Sequence, residues 1–203
     1  METMERSSGS GARVLVFAGS ARADSLNRKL AQAAAGALEA AGLRVTFADL
    51  RDYSMPLYDG DLEEAQGLPE KAKAFKELVR DHDAFVIASP EHNGSFTALL
   101  KNVIDWASRP EPGEPHLAVF RGKTAALLSV SPGRGGGRRG LRHLRELLEM
   151  IGVTVIPAQF TVAGGEAALD PGGYPVRPED AAALNQLVAD LASALDGAAL
   201  SAA

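Results

Sequence analysis

The sequence predicts an α/β protein built on a doubly wound, five-stranded parallel sheet with helices on both faces. Three features carry that prediction. Short apolar runs alternate with longer stretches of helical period along the chain. The runs are nearly continuous in Val, Leu, Ile, Phe and Ala, as strands buried on both faces require. The helical stretches between them make βαβ units with right-handed crossovers.

The first run, Arg13 to Ala18, is the most continuous. After a polar turn, Leu26, Leu30, Ala33, Ala34, Ala37, Leu38 and Ala41 mark one helical face, and Gly42 stops the helix. Leu43 to Ala48 alternates Arg44 and Thr46 with apolar neighbours, the pattern of an edge strand. A loop is expected from Asp49 to Gly67. A helix then starts at Pro69, which suits a first turn, and buries Ala72, Phe75, Leu78 and Val79. Asp83 to Ala88 is the third strand, Phe96 to Trp106 the third helix and Lys123 to Val130 the fourth strand. The helix Arg138 to Met150 puts Leu141, Leu144, Leu147, Leu148 and Ile151 on one side. Val153 to Ile156 is the fifth strand and Glu179 to Leu195 the last helix. The Pro/Gly-rich stretch from Gly164 to Pro178 reads as a surface connection.

With 203 residues, the chain is expected to fold as one domain over 12–203 behind a frayed, disordered tail at 1–11. Hydrophobic residues make up 46% and charged residues 23%, ordinary for a globular domain. A net charge of −5 argues against a nucleic-acid partner, which calls for a basic excess. The absence of cysteine removes disulfides, thiolate metal sites, Fe–S clusters and dithiol chemistry together, so redox work needs a bound cofactor. No apolar run reaches the roughly 20 residues that span a bilayer. The Ser/Gly-rich start has no apolar core of a secretory signal, so a cytoplasmic location is expected, with no membrane partner.

In doubly wound sheets, ligands bind beyond the carboxyl ends of the strands where their order reverses. The segments after the first, third and fourth strands are therefore the ones to inspect. Gly19-Ser20-Ala21-Arg22-Ala23-Asp24-Ser25-Leu26-Asn27 leads into the first helix. Gly19 permits a tight turn, and Ser25 or Asp24 suits the N-cap. Free amides at the helix start, with Ser20, Arg22, Ser25 and Asn27, fit a phosphate monoester. Neither a Walker loop nor a dinucleotide glycine fingerprint follows this strand. The plainer reading is a polar turn that only caps a helix, and this segment alone leaves both open.

Ser89-Pro90-Glu91-His92-Asn93-Gly94-Ser95 follows the third strand, and its consecutive amides fit a planar heterocycle. Alone, it also reads as a strand-to-helix loop capped by Ser95. His92 has no second ligand at metal spacing nearby, and no metal is expected. Ser129-Val130-Ser131-Pro132-Gly133-Arg134-Gly135-Gly136-Gly137-Arg138 follows the fourth strand, with glycines that allow close backbone approach or simple mobility. Downstream, Arg142 with Glu146 and Arg145 with Glu149 form i,i+4 pairs on a solvated face. Arg134 and Arg138 lack such partners and remain open to a ligand.

Gly-Ser-x-Arg-x-x-Ser-x-Asn, then Pro-Glu-His-Asn-Gly-Ser, then Leu100-Lys101-Asn102-Val103-Ile104-Asp105-Trp106 together resemble the NADPH-dependent FMN reductase family. That flavodoxin-like group includes quinone, azo-dye and chromate reductases. Leu57-Tyr58-Asp59 and the Gly-rich segment with Arg138 match as well, so the likeness runs from about Arg13 to the last helix. It implies sheet order 2-1-3-4-5 and a non-covalent FMN. The phosphate would sit on Ser20, Arg22, Ser25 and Asn27. The ring would lie against Pro90, Glu91, His92 and Asn93, with Ser131 and Gly133 at its other edge. It also implies an enzyme that takes hydride from NADPH or NADH and passes it through FMN to a quinone, azo compound, chromate or flavin by a ping-pong scheme. No side chain is needed as an obligatory acid or base. Arg134 and Arg138 would help hold the nicotinamide co-substrate's phosphates, and a homodimer or homotetramer is implied.

This sequence departs from the family at His92, where Tyr is usual, and at Thr97-Ala98, where Pro-Gly is usual. The main rival is a flavodoxin-type FMN electron carrier without NAD(P)H turnover, whose phosphate loop is Thr-rich and whose surface is strongly acidic. A cofactor-free interaction protein is a second rival, and a hydrolase fails for want of a G-x-S-x-G elbow. His82, between Asp81 and Asp83, reads as a capping cluster. Trp106, Leu99, Leu100, Val103 and Ile104 read as core or subunit contacts.

Overall fold

Apolar runs become β1 (Arg13–Ala18), β2 (Arg44–Ala48), β3 (Ala84–Ala88), β4 (Thr124–Ser131) and β5 (Thr154–Ala163) in the computed structural model, which describes residues 11–201. All pair in parallel, in the order β2-β1-β3-β4-β5. The expected sheet is therefore the observed one, with β2 at an edge. The tail expected at 1–11 lies outside the described residues except for Gly11. The helices are α1 (Leu26–Ala40), α2 (Gly60–Gln66), α3 (Glu70–Arg80), α4 (Ala98–Ala107), α5 (Arg138–Met150) and α6 (Pro178–Ser201). Among the described residues no helix is long and apolar enough to cross a membrane.

Both sheet faces are apolar, so hydrophobicity alone does not choose the register. Side-chain volume does. Val14, Val16, Ala18, Ala84, Ala88 and Ala126 face a layer that includes the alanine-rich side of α1 and the buried leucines of α6. Leu15, Phe17, Phe85, Ile87 and Leu127 face the other layer, with Phe75 of α3, Val103 of α4 and Leu144 of α5. A one-residue slip would turn phenylalanines onto the alanine face. Overpacking of that kind costs roughly 1–3 kcal/mol at each crowded position.

Three segments differ from expectation. The segment Asp49 to Gly67, expected as a loop, holds a 3-10 turn at Leu50–Tyr53 and the short helix α2. Asp59 caps α2 by accepting from the amides of Asp61 (2.9 Å) and Leu62 (3.4 Å). No residue of α2 is buried, so no apolar period announced it. β5 does not stop at Ile156 but continues to Ala163. Val155 pairs with Ala125 while Gln159 pairs with Leu127, so four steps along β5 match two along β4. Pro157 sits in that irregularity on an edge strand, where its missing amide costs no ladder bond. The Arg145 guanidinium donates to the carbonyls of Val155, Ile156 and Pro157 at 3.0, 2.7 and 3.1 Å and holds the bulge closed.

The stretch Gly164 to Pro178 is also less exposed than its composition suggests. Ala168, Leu169, Gly173 and Pro175 are buried, and a Cβ on Gly173 would stand 2.2 Å from the carbonyl oxygen of Lys29 in α1. Arg145 and Glu149 pair at 3.2 Å, whereas Arg142 and Glu146 do not pair. His82 fulfils its capping role: Nδ1 lies 2.7 Å from the Leu78 carbonyl oxygen at the end of α3, and Nε2 2.7 Å from Thr46 Oγ1 on β2. Trp106 is fully buried and donates to the Pro56 carbonyl at 2.8 Å, while Asn102 bonds Pro56 and Tyr58. These bonds hold the segment before α2 onto α4.

Asp49, at the exit of β2, lies 3.0 Å from Arg28 Nε and 2.6 Å from Arg51 Nη2. The hydrogen bond from Arg51 is the main reason its carboxyl titrates at about 2, below the ordinary carboxylate range. Folding stability from this group is therefore complete above pH ~4 and disappears as pH falls toward 2. Arg51 is 40% exposed, so screening limits the contribution to about 1 kcal/mol. Urea unfolding of Asp49→Asn should be that much easier than the parent at pH 7, and the gap should close near pH 2.

Candidate functional site

The carboxyl ends of β1, β3 and β4 open into a cavity of about 1030 Å³, at the upper end of small-molecule sites. Gly19 joins its walls. The Gly19 amide donates to the Ala88 carbonyl at 2.8 Å, and its carbonyl accepts from Thr97 Oγ1 at 2.7 Å. A Cβ on Gly19 would lie 3.1 Å from both Thr97 Oγ1 and Leu100 Cβ, so the approach of β1 to α4 requires a residue this small. Thr97 also caps α4 by accepting from the Leu100 amide at 3.2 Å. The departure at Thr97 thus replaces proline at the helix start with a side-chain cap that also grips β1.

The turn from β1 to α1 forms one end of the cavity. Ser20, Arg22, Ser25 and Asn27 all line it. Ser25 is the N-cap and accepts from the Arg28 amide at 3.3 Å, which leaves its hydroxyl hydrogen available. Ser20 Oγ accepts from the Arg22 amide at 3.4 Å. Among the described residues, the amides of Ala21, Ala23, Leu26 and Asn27 donate to no protein acceptor. Arg22 is exposed and joins no ion pair there. Asn27 is buried at 4% exposure. Its Nδ2 donates to the Val130 carbonyl at 2.9 Å and its Oδ1 accepts from the Val130 amide at 3.0 Å. Only one N–H of this side chain remains for a ligand.

The opposite wall comes from Pro90, Glu91 and His92, with Ser131 and Pro132 closing a side. His92 and Ser95 exchange backbone bonds of 2.9 and 3.0 Å across Asn93 (φ 52°) and Gly94 (φ 80°). That is an Asn-Gly turn with both central residues left-handed, which these two residue types adopt at least cost. Asn93 and Gly133 are not among the residues that line the cavity, and the Gly133 amide donates to Ser131 Oγ at 3.0 Å. The Glu91 carboxylate accepts from the amides of Arg139 (3.0 Å) and Gly140 (3.1 Å) and so caps α5 from a different loop. The loop after β3 is therefore bonded to the start of α5. Arg134 and Arg138 line a separate concavity of about 400 Å³ whose wall also includes Glu91.

Sequence reasoning missed Lys29 and Glu166, which also line the main cavity together with Thr97, noted only as a departure, and Leu99, expected as a core or subunit contact. Lys29 follows Ser25 by one helical turn, and that i,i+4 spacing was its signal. Thr97 precedes an apolar helical run, the usual mark of an N-cap. Glu166 lies in the Pro/Gly-rich connection, where nothing local indicates direction.

A turn with several free amides, two hydroxyls and a guanidinium fits a phosphate monoester, and the wall of loop backbone opposite fits a flat ring. The family model described as NADPH-dependent FMN reductase matches residues 12–167. The chain belongs to that family. This reductase is 38% identical to an NAD(P)H-dependent FMN reductase of Pseudomonas aeruginosa over 162 residues, 79% of this chain and 83% of the relative. It is 37% identical to a quinone reductase of Pseudomonas putida over 156 residues, 77% and 80% of the two chains. Among solved structures, a flavoenzyme NAD(P)H:(acceptor) oxidoreductase of Paracoccus denitrificans superposes with a TM-score of 0.77. That match has 28% identity and covers 92% of this chain and 98% of the other. The fold is flavodoxin-like, and the chain is an oxidoreductase of the FMN reductase and quinone reductase type.

Replacing Asn27 with Leu should leave the Val130 amide and carbonyl without protein partners at a buried position beside the cavity. A loss of about 2–4 kcal/mol is expected in urea unfolding of the reductase, from two unsatisfied backbone groups.

Proposed function

We propose that this protein binds FMN without a covalent link and oxidises NADPH or NADH at the expense of a small acceptor, a quinone in the first instance. The observation that carries this reading is the set of unpaired amides in the β1–α1 turn beside Ser20, Arg22 and Ser25. Such a nest of donors at a helix start suits an anion. The quinone is favoured by relatives that carry that substrate in their names. The resemblance further supports a homodimer or homotetramer working in the cytoplasm, with azo compounds, chromate or free flavin as further acceptors.

When bound, FMN would supply the hydride chemistry between the nicotinamide and the acceptor. The protein's part is binding and electrostatics. Ser20, Ser25, the free amides and Arg22 hold the phosphate, with the spare N–H of Asn27. The backbone of Pro90, Glu91 and His92 flanks the ring, with Ser131 at the other edge. Glu91 is the acidic side chain closest in sequence to that wall, and its carboxylate is committed to the positive end of α5. With its carboxylate held by α5, the Glu91 side chain would place no free negative charge beside a bound ring.

The test is to purify the protein, identify its flavin and follow NADPH and NADH oxidation with and without a quinone. Turnover that needs the quinone supports the enzyme, whereas FMN without turnover is the behaviour of an electron carrier. In the double variant Ser20→Ala/Arg22→Ala, the FMN dissociation constant should rise about 100-fold, from one charged and one neutral hydrogen bond lost. An unchanged constant would remove this turn as the phosphate site.

A further inference from the structure

The chain has four histidines, and their surroundings differ. Both ring nitrogens of His82 are bonded, to the Leu78 carbonyl and to Thr46 Oγ1. His143 Nδ1 lies 3.3 Å from Ser95 Oγ. His116 is exposed between α4 and β4 and borders neither concavity described above. His92 is exposed and lines the main cavity, and its imidazole enters no hydrogen bond or ion pair among the described residues. Its backbone, in contrast, is fixed. The amide and carbonyl of His92 both bond Ser95 across the left-handed Asn93 and Gly94. The preceding residue, Glu91, is anchored to the start of α5. A ring on a held backbone, with both nitrogens open, is available to a molecule in the cavity.

The charged groups around it come from four elements. Glu91 shares its loop, with a carboxylate committed to the amides of Arg139 and Gly140. Arg22, Asp24 and Lys29 come from the β1–α1 turn and the start of α1, and Glu166 from the connection after β5. α5 brings His143 against the same turn, and Arg138 and Arg139 beyond Glu91. Arginine, lysine and carboxylates ordinarily keep one charge from about pH 6 to 9, whereas an imidazole changes charge within that interval. Among the described residues lining the main cavity, His92 is the one whose type exchanges a proton near neutrality.

Reduction of a quinone calls for such a group. Hydride brings the quinone two electrons and one proton and leaves one of its oxygens as an anion. Hydroquinone forms only when a second proton reaches that oxygen. Resting on the reading that hydride passes to a quinone in this cavity, we infer that the His92 imidazolium donates the second proton. Its N–H bond breaks as the O–H bond of the hydroquinone forms, and the neutral imidazole then takes a proton from solvent. Each turnover therefore consumes one reduced nucleotide, one quinone and one proton. A general acid is most effective when its proton affinity matches the working pH. Tyrosine, usual at this position in the family, ordinarily keeps its proton to about pH 10. His92 thus confines the proton transfer of this chain to lower pH.

The test isolates the acceptor half of the reaction. The FMN-loaded protein is reduced with dithionite and mixed with a benzoquinone, or with ferricyanide, which takes electrons without a proton. Reoxidation is followed by flavin absorbance from about pH 6 to 9. Near pH 6 the ratio of quinone rate to ferricyanide rate should be at least tenfold lower in His92→Gln than in the parent. The parent's ratio should decline as pH rises through neutrality, while that of His92→Gln stays flat. In His92→Tyr the decline should move toward pH 10, and His143→Gln should keep the parent's profile. A second readout needs no turnover. A cation beside the cavity favours the more negative, reduced form of a bound flavin, so the parent's midpoint potential should exceed that of His92→Gln near pH 6. A tenfold shift of this two-electron equilibrium is about 30 mV, and the two potentials should converge near pH 9. Equal ratios, a decline that survives in His92→Gln or vanishes in His143→Gln, or equal potentials near pH 6 would each overturn the inference. Flavin content and melting temperature identify a variant that fails to fold, and His92→Tyr, which restores the family's residue, then decides. A parent that holds FMN but oxidises no nicotinamide nucleotide overturns the proposed function alone, since neither readout uses a nucleotide. A parent that binds no FMN overturns both.

Discussion

The site depends on one pair of hydrogen bonds, those joining the Asn27 side chain to both backbone groups of Val130. Asn27 stands in the first turn of α1 and Val130 near the end of β4, 103 residues later. β4 is not the neighbour of β1, so no ladder bond joins these two elements. The amide bridges the gap that the strand order creates at the end of the sheet. It holds the start of α1 over the crevice, with the first-turn amides of Leu26 and Asn27 free beside the cavity.

Two further contacts complete that frame. Thr97 ties the exit of β1 to the start of α4, and Glu91 ties the loop after β3 to the start of α5. Each uses a side chain from one loop to satisfy backbone groups of another. Loops would otherwise be the most mobile part of the fold. Here they are cross-bonded, so donors at the crevice stay aimed before any ligand arrives, which reduces the ordering cost of binding.

Much of the fold was legible because its strands are short, apolar and buried on both faces, as in Val14 to Ala18 and Ala84 to Ala88. The loops around the crevice were legible through Gly19, Ser25 and the Pro90 to Ser95 turn. The parts that stayed hidden have local patterns that tertiary contacts override. α2 is too short and too polar to show a period. β5 passes through Pro157, which argues against a strand unless Arg145 is known to hold its carbonyls. Asn27 was marked as a ligand contact because its type suits a ligand, and Glu91 because the resemblance implies a ring beside it. Nothing local shows that Asn27 turns mainly to Val130, or that the Glu91 carboxylate turns away to α5.

Membership of the FMN reductase family and the open amides of the β1–α1 turn support the proposal that this turn holds a doubly charged phosphate ester. The most direct measurement compares flavins that differ only in that group. The apoprotein should bind FMN at least 100-fold more tightly than riboflavin, as expected when a charged guanidinium and a nest of amides lose their partner. Equal affinity for the two flavins would contradict the account.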